Sequence, residues 1–458
     1  MTAPPSRTIT RAEVAGSVVD VRVTEGRIVG VGPDLRRPGD EVVDAGGAAL
    51  LPGLHDHHVH LLAMAGAPVG GRGRLPRPAA FAEAVARADR EVPAGRWLRV
   101  VGVDERHGPM GADRLDRLAP GRPVRAQHRS GAAWALSRVA QAAVGPVGAD
   151  ADGWIHRADA ALRVRWAEAE GRPDLAAVGR RLAELGVTGV TDATPFDDDG
   201  GFGLLAAARR AGHLPQQIAV TGGPALAAAP APTELERGPV KVVVEDHALP
   251  SPADLVAAFR SARHAGRAVA VHCVTRAALV LALVAWDEVG AEPGDRIEHG
   301  SVVPLELVAP IAERGLTVVT QPGFVHARGD RYLAEVEPDD VPHLYRCGSL
   351  IAAGVPVAGS TDAPFGPDDP WLAVRTAVER TTSAGRRLGA DEAIAPDTAL
   401  ERFLSPLDSP GGRARHIGVG GRADLVLLDR PLADALAEPS ARHVRTTWIG
   451  GMVVHDRG

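Results

Sequence analysis

Lysine is all but missing from this 458-residue chain: of its 51 lysines and arginines, 50 are arginine, and the sole lysine is Lys241 in "GPVKVVVED". A chain that uses arginine wherever a generic positive charge will do has kept one position that a guanidinium does not serve. The chemical difference between the two is that of an amine. Cysteine is scarce as well. Cys273 and Cys347 are too few for a disulfide framework and read as small buried apolar residues. Positive charge in excess is also lacking: the formal net charge is −6 and the arginines are scattered, which excludes the basic footprint of a nucleic-acid partner. No stretch approaches the roughly 18 uninterrupted apolar residues of a membrane span, and residues 1–25 hold no apolar core of a secretion signal. A cytoplasmic protein with a small-molecule substrate and no membrane partner is expected, and homo-oligomer formation stays open.

What is present is ordinary globular material, 45% hydrophobic and 24% charged, enough for one large domain and a small companion. At the N-terminus "VVDVRVTEGRIVGVG" alternates around Glu25-Gly26, and at the C-terminus "GRADLVLLDRP" and "VRTTWIGGMVVHDRG" do so around Gly450-Gly451. Both patterns predict hairpins. Neither end has strands enough for a stable sheet alone, so residues 1–52 and 415–458 are predicted to join in one small β-sandwich. Residues 53–414 then form an insertion of alternating strands and helices. Strands are predicted at 49–54, 187–192, 216–221, 240–245, 268–272, 296–299, 316–321 and 355–360, an α/β pattern for a (β/α)8 TIM-like barrel. A Gly-, Pro- and Arg-rich subdomain at about 66–165 follows the first strand.

The stretch "LPGLHDHHVHL" ends an apolar run with His58 and His60 one residue apart. On a strand such side chains share a side, and two imidazoles so placed can chelate one cation. A polar His-rich turn is the plain alternative. The other strand ends decide between them: Lys241 lies on the fourth strand, His272 ends the fifth, His299 ends the sixth and Asp362 follows the eighth. In a barrel these ends converge on one mouth. His55 and His57 fall out of phase with the pair, and Glu298 points away from His299, to pack or to brace a ligand. Asp192, Asp246 and Gln321 sit at strand ends, where lining a pocket and capping a loop are equally open. The segment "GFVHARGDRYLAEV", read as a loop, brings His326 forward and, with Arg346, offers contacts to a substrate; Gln321 is the third candidate.

In this order of blocks, "LPGLHDHHVHL", "LGVTGVTDA", "VKVVVED", "RIEHG", "TQP", "VAGSTDAP", "DPWLAVRTAVER" and "GRADLVLLD…TWIGGMVVH", the chain resembles the amidohydrolase superfamily nearly end to end. Within it the chain is similar to the amidohydrolase 3 group of YtcJ-like hydrolases, related to N-substituted formamide deformylase. The resemblance implies that His58, His60, Lys241, His272, His299 and Asp362 bind two divalent metal ions, most simply zinc given the imidazoles, with Lys241 carboxylated by CO2 as the bridge. An ammonium has no lone pair for a cation, whereas its carbamate has two oxygens, and arginine, always protonated, cannot form one. The implied reaction is hydrolysis of a C–N bond in an amide, cyclic amide or N-acyl or N-formyl group by a metal-bridging hydroxide, with Asp362 as general base and then acid. The alternative is an aminohydrolase (deaminase) with a mononuclear site. That type resembles a site with Glu three residues after the fifth-strand His, a position held here by Thr275. A non-enzymatic scaffold on the same fold would have lost ligands, and all six are present.

Overall fold

The structure, a computed structural model, describes residues 5–65, 78–92, 95–103, 107–128, 133–145, 148–150, 153–156, 173–244 and 248–458. Asp246, the end of the expected fourth strand and much of the 66–165 segment lie outside them. The chain divides into two compact units, one of Met1–His60, Ala176–Asp362 and Asp369–Gly458, the other of Leu61–Leu175 and Ala363–Asp368.

The alternating N-terminal residues form strands β1 (Arg7–Val14), β2 (Ser17–Thr24), β3 (Arg27–Gly32) and β4 (Glu41–Asp44), in the order β3-β2-β1-β4. Next come β5 (Leu50–Pro52) and β6 (Leu54–Val59). In the second unit β7 (Leu98–Val103), β8 (Val124–His128), β9 (Ala133–Leu136) and β10 (Ile155–His156) make a sheet of their own, in order β10-β9-β8-β7. Its apolar face packs on Phe81, Val85, Met110 and Leu115.

The first unit continues with β11 (Val187–Asp192), β12 (Gln217–Val220), β13 (Glu236–Arg237), β14 (Val240–Val242), β15 (Val269–Cys273), β16 (Arg296–His299), β17 (Thr317–Thr320) and β18 (Val357–Gly359). They form two all-parallel sheets, β13-β12-β11-β6 and β14-β15-β16-β17-β18. In these sequences β-branched residues run on without alternation, as in "TVVT" of β17, where all four are buried, because parallel strands are covered on both faces. Val242, Val271, Ile297, Val318 and Val357 pack on Leu255, Phe259, Leu279, Trp286 and Ile311 of the crossover helices. The helix Pro252–His264 illustrates the local logic. The Ser251 hydroxyl accepts from Asp254 N at its start, Pro252 occupies the first turn where no donor is needed, and Gly266 with φ +65° follows its end. Deleting that cap costs about 1 kcal/mol; truncating the buried Phe259 costs about 3–5 kcal/mol.

The ladders do not run from one parallel sheet to the other among the described residues. Single backbone hydrogen bonds cross at both places, Lys241 N to Gly222 O at 2.8 Å and Asp362 N to His58 O at 2.9 Å.

Last come β19 (Leu425–Leu428), β20 (Val444–Ile449) and β21 (Met452–Asp456), which take up β5 in the antiparallel order β21-β20-β19-β5. Ile9, Val21, Ile28, Leu50, Leu425, Leu427 and Trp448 from the two terminal sheets share one buried cluster.

Here the structure corrects the expected first strand at 49–54. Leu50–Pro52 pairs with the C-terminal sheet, and the parallel strand is Leu54–Val59, so His58 lies within the strand and is fully buried instead of following it. The reason is Gly53: a Cβ there would come within 2.1 Å of Thr188 Cγ2, so only glycine lets the chain pass from one sheet to the next this close to β11. No helix among the described residues is long and apolar enough to cross a membrane.

Candidate metal centre

Strand β6 and the turn after β18 bring together His58, His60 and Asp362, whose ligand-type atoms all lie within 4.8 Å of one another. Asp362 Oδ1 is 3.2 Å from His60 Nε2 and 3.6 Å from His58 Nε2. The His299 ring lies 4.7 Å from that of His58 and 4.5 Å from that of His272, centre to centre. Lys241 is buried, and its charge acts on His58, His272 and His299. The six residues named from the sequence thus share one neighbourhood.

The electrostatics suit cation ligation. Burial, then the charge of Lys241, pushes His58 well below the usual imidazole range, and burial, then His299, does so for His272. His299 is held at about 3, by burial first and His58 next. These imidazoles are therefore neutral with lone pairs available. Burial also lowers Lys241, against the opposing pull of Glu298 and Asp362. For Asp362, burial opposes ionisation, but the close approach of His60 and the imidazoles of His58 and His299 outweigh it, so the group stays a carboxylate.

Three buried atoms at the centre have no hydrogen-bond partner among the described residues: His58 Nε2, Lys241 Nζ and Asp362 Oδ1. Leaving such groups unsatisfied costs about 1–3 kcal/mol each, and the pair on His58 and Asp362, 3.6 Å apart, fits a cation that would use them. The residues present therefore match a metal site in donor type, protonation and placement.

Around them stands a set of bracing residues that the sequence reading left open or passed over. Glu298 Oε2 bonds His58 Nδ1, and its other oxygen is 2.5 Å from Arg296 Nε. Gln321 Oε1 is 2.8 Å from His299 Nδ1, while its amide nitrogen donates to Ser360 Oγ at 2.8 Å. Thr194 Oγ1 is 3.0 Å from His60 Nδ1. Asp56, buried and raised to about 7 by burial, accepts from Thr361 N at 3.1 Å, from Thr361 Oγ1 at 2.5 Å and from His58 N at 3.3 Å, tying β6 to the turn that presents Asp362. His299 and Asp362 both have left-handed backbones, φ +71° and +53°. Such conformations are disfavoured outside glycine and recur where a side chain must be aimed.

The residues expected at the substrate fare differently. Gln321 is committed to His299 as above. Arg346 is buried, pairs with Glu392 and donates to Val303 O at 2.7 Å. The segment read as a loop is a helix, Gly323–Glu335, with His326 half-buried on it. Asp192 caps its own turn, Oδ1 accepting from Thr194 N at 3.0 Å.

Residues 41–455 match the model of the amidohydrolase family. The chain is 26% identical to an N-substituted formamide deformylase of Arthrobacter pascens over 95% of both chains. It is 27% identical to the amidohydrolase YtcJ of Bacillus subtilis (strain 168) over 43% of this chain and 39% of that one. Among solved structures it resembles an uncharacterized metal-dependent hydrolase from Pyrococcus horikoshii OT3, with TM-score 0.73 and 20% identity over 92% of this chain and 96% of that one. An N-isopropylammelide isopropylaminohydrolase from Burkholderia multivorans aligns with TM-score 0.55 and 20% identity over 98% of both chains. With a cluster of candidate metal-ligand residues and a family match over residues 41–455, the chain belongs to the amidohydrolase family and is a hydrolase.

Proposed function

We propose that the protein hydrolyses a C–N bond of an amide, cyclic amide or N-acyl or N-formyl compound at a centre holding two divalent ions, most simply zinc, in the cytoplasm. The observation that supports it most is the trio of unsatisfied buried atoms on His58, Lys241 and Asp362. His58, His60 and Asp362 would hold one ion, and His272 and His299 the other. Lys241 would bridge them as a carbamate, formed when its neutral amine adds to CO2 and loses a proton; the lowered pKa of the buried amine favours that neutral form. Bound ions would bring a water's pKa from about 15.7 to about 7 and polarise the scissile carbonyl.

The chain's own part is proton transfer and aim. Asp362, an ionised carboxylate, would take the proton of the attacking water on its carboxylate oxygen and return it to the leaving nitrogen, so that amide and water give an acid and an amine. Glu298, Gln321 and Thr194 fix the rings of His58, His299 and His60, so the ligands need no reorientation on binding. The same reading has the two parallel sheets close as a (β/α)8 barrel, the two terminal sheets pack as a β-sandwich of residues 1–52 and 415–458, and residues 66–165 serve as an insert.

The test is elemental analysis of the purified protein together with assays on a panel of amides and N-formyl amines. Two metals per chain and amine release are expected. Lys241→Arg, conservative elsewhere in this chain, should lower the metal content to one or none and abolish turnover. Full metal and turnover in that variant would remove the bridging lysine. Ammonia release from aminated heterocycles without amide cleavage would favour a deaminase.

A further inference from the structure

The ligand-type residues of this centre come from two sheets. His58 lies in β6, and His60 just past it, in the sheet β13-β12-β11-β6, whereas Asp362 follows β18 of the sheet β14-β15-β16-β17-β18. The 3.2 and 3.6 Å from Asp362 Oδ1 to His60 and His58 therefore depend on how the edge strands β6 and β18 lie beside each other. Among the described residues no ladder joins those two strands. Residues 359–362 show what holds them instead. Gly359 is still in register with Thr320 of β17, and Ser360 N bonds Thr320 O at 3.0 Å. From there the chain turns to β6: Thr361 bonds Asp56, and Asp362 N bonds His58 O at 2.9 Å.

Asp56 Oδ1 accepts from Thr361 N at 3.1 Å and from His58 N at 3.3 Å, and Oδ2 accepts from Thr361 Oγ1 at 2.5 Å. One carboxyl group thus holds the backbone of His58 and the residue before Asp362 at once. Asp56, His58, Thr361 and Asp362 are all buried, where a hydrogen bond is stronger than in water. The left-handed backbone of Asp362, φ +53°, is a conformation that persists only where its surroundings over-determine it, and the bonds on both Thr361 and Asp362 do so. The other junction of the two sheets, where Lys241 N meets Gly222 O, has no such carboxylate. There Arg267 donates to Gly238 O and Pro239 O, each at 2.9 Å. Different side chains hold the two junctions, so each can be loosened alone.

We propose that Asp56 is a positioning residue: by clasping Thr361 across the junction of β6 and β18, it aims Asp362 at His58 and His60 before an ion binds. The inference rests on the proposed metal centre and names the residue that sets its shape.

The test uses three variants. Asp56→Ala removes all three acceptor bonds, and Thr361→Val removes the one from the hydroxyl. Asp56→Asn keeps an oxygen for the two N–H donors and can donate to the Thr361 hydroxyl, so it is the conservative form. Hydrogen exchange on metal-free protein reads the Asp362 and Lys241 amides, one at each junction. Asp56→Ala should speed exchange at Asp362 about tenfold or more and leave Lys241 within about twofold. Metal affinity, read by competition with a chelator, should weaken about 10- to 100-fold, the scale for a lost partner behind a ligand. For a cleaved amide the fall should lie in kcat, with KM within about twofold. Thr361→Val should move the same quantities less, and is the variant to read if Asp56→Ala does not fold; Asp56→Asn should stay near the wild type. Unchanged exchange at Asp362, or faster exchange with metal affinity and kcat unchanged, overturns the proposal. Metal bound without amide cleavage removes the proposed reaction only, since affinity still reads the clasp. If the wild type binds no metal, the proposed centre falls and exchange alone decides: faster at Asp362 in the variant upholds the clasp, and equal rates overturn it.

Discussion

Strand β6 carries histidines toward both of its sides, and all of its residues are buried. On one side His55 Nδ1 meets Ser405 O and His57 Nε2 meets Ser405 Oγ, each at 3.0 Å. His55 Nε2 lies against Gly189, whose backbone leaves just enough room for the ring. Toward the other side His58, with His60 just past the strand, meets Glu298 and Asp362. Burial first, then Arg296 and Arg415, holds His57 at about 3, so it is as neutral as His58. The difference lies in the company. Carboxylates and an amine act on one side, a hydroxyl, a carbonyl and the charges of two arginines on the other. Buried imidazole alone does not mark a candidate metal site; buried imidazole facing a carboxylate oxygen that no donor satisfies, as at Asp362, does.

The largest break in that comparison comes from His58→Ala with His60→Ala. The double variant is expected to lose bound metal by elemental analysis and to fall in kcat/KM by about a thousandfold or more, the scale of a lost Lewis acid. Circular dichroism should still show the parallel sheets and helices. Stoichiometric metal in the folded variant would place the site elsewhere.

A smaller effect follows from Glu298→Gln, which keeps the shape behind His58 but removes the charge. Metal affinity, read by competition with a chelator, should weaken about 10- to 100-fold, as when a carboxylate behind a ligand histidine is lost. Unchanged affinity would mean that packing alone orients His58.

The smallest effect lies on the opposite side. Ser405→Ala deprives His57 and the Gly411 amide of a shared hydroxyl. It should lower stability by about 1–3 kcal/mol in denaturant titration with metal content untouched. A parallel loss of metal would merge the two sides into one functional unit.

Much of the centre was legible in residue spacing. His58 and His60 were found by alternation on a strand, and Lys241 by its solitude among arginines. The bracing residues were harder. Glu298 was read as packing or bracing a ligand, but which ligand was not legible, because its partner His58 lies 240 positions away in the chain. Thr194 and Ser405 carry no local signal at all, since each acts on a histidine far away in the chain. The helix at Gly323–Glu335 was read as a loop because Gly323 and Gly329 weaken its propensity. Gly329 is set by tertiary packing, for a Cβ there would come within 2.6 Å of Thr382 Cγ2.

By itself the sequence determined the family and the α/β order of elements and, through the resemblance, proposed six candidate ligands, because motif order and strand periodicity are local properties of the chain. Only the tertiary structure decided that β5 leaves for the terminal sheet, that Gln321 and Arg346 are engaged by protein, and that Asp56 meets Thr361. Those outcomes depend on contacts between residues tens to hundreds of positions apart, and their geometry is set by packing density and by the pairing of buried polar atoms, which no local pattern encodes.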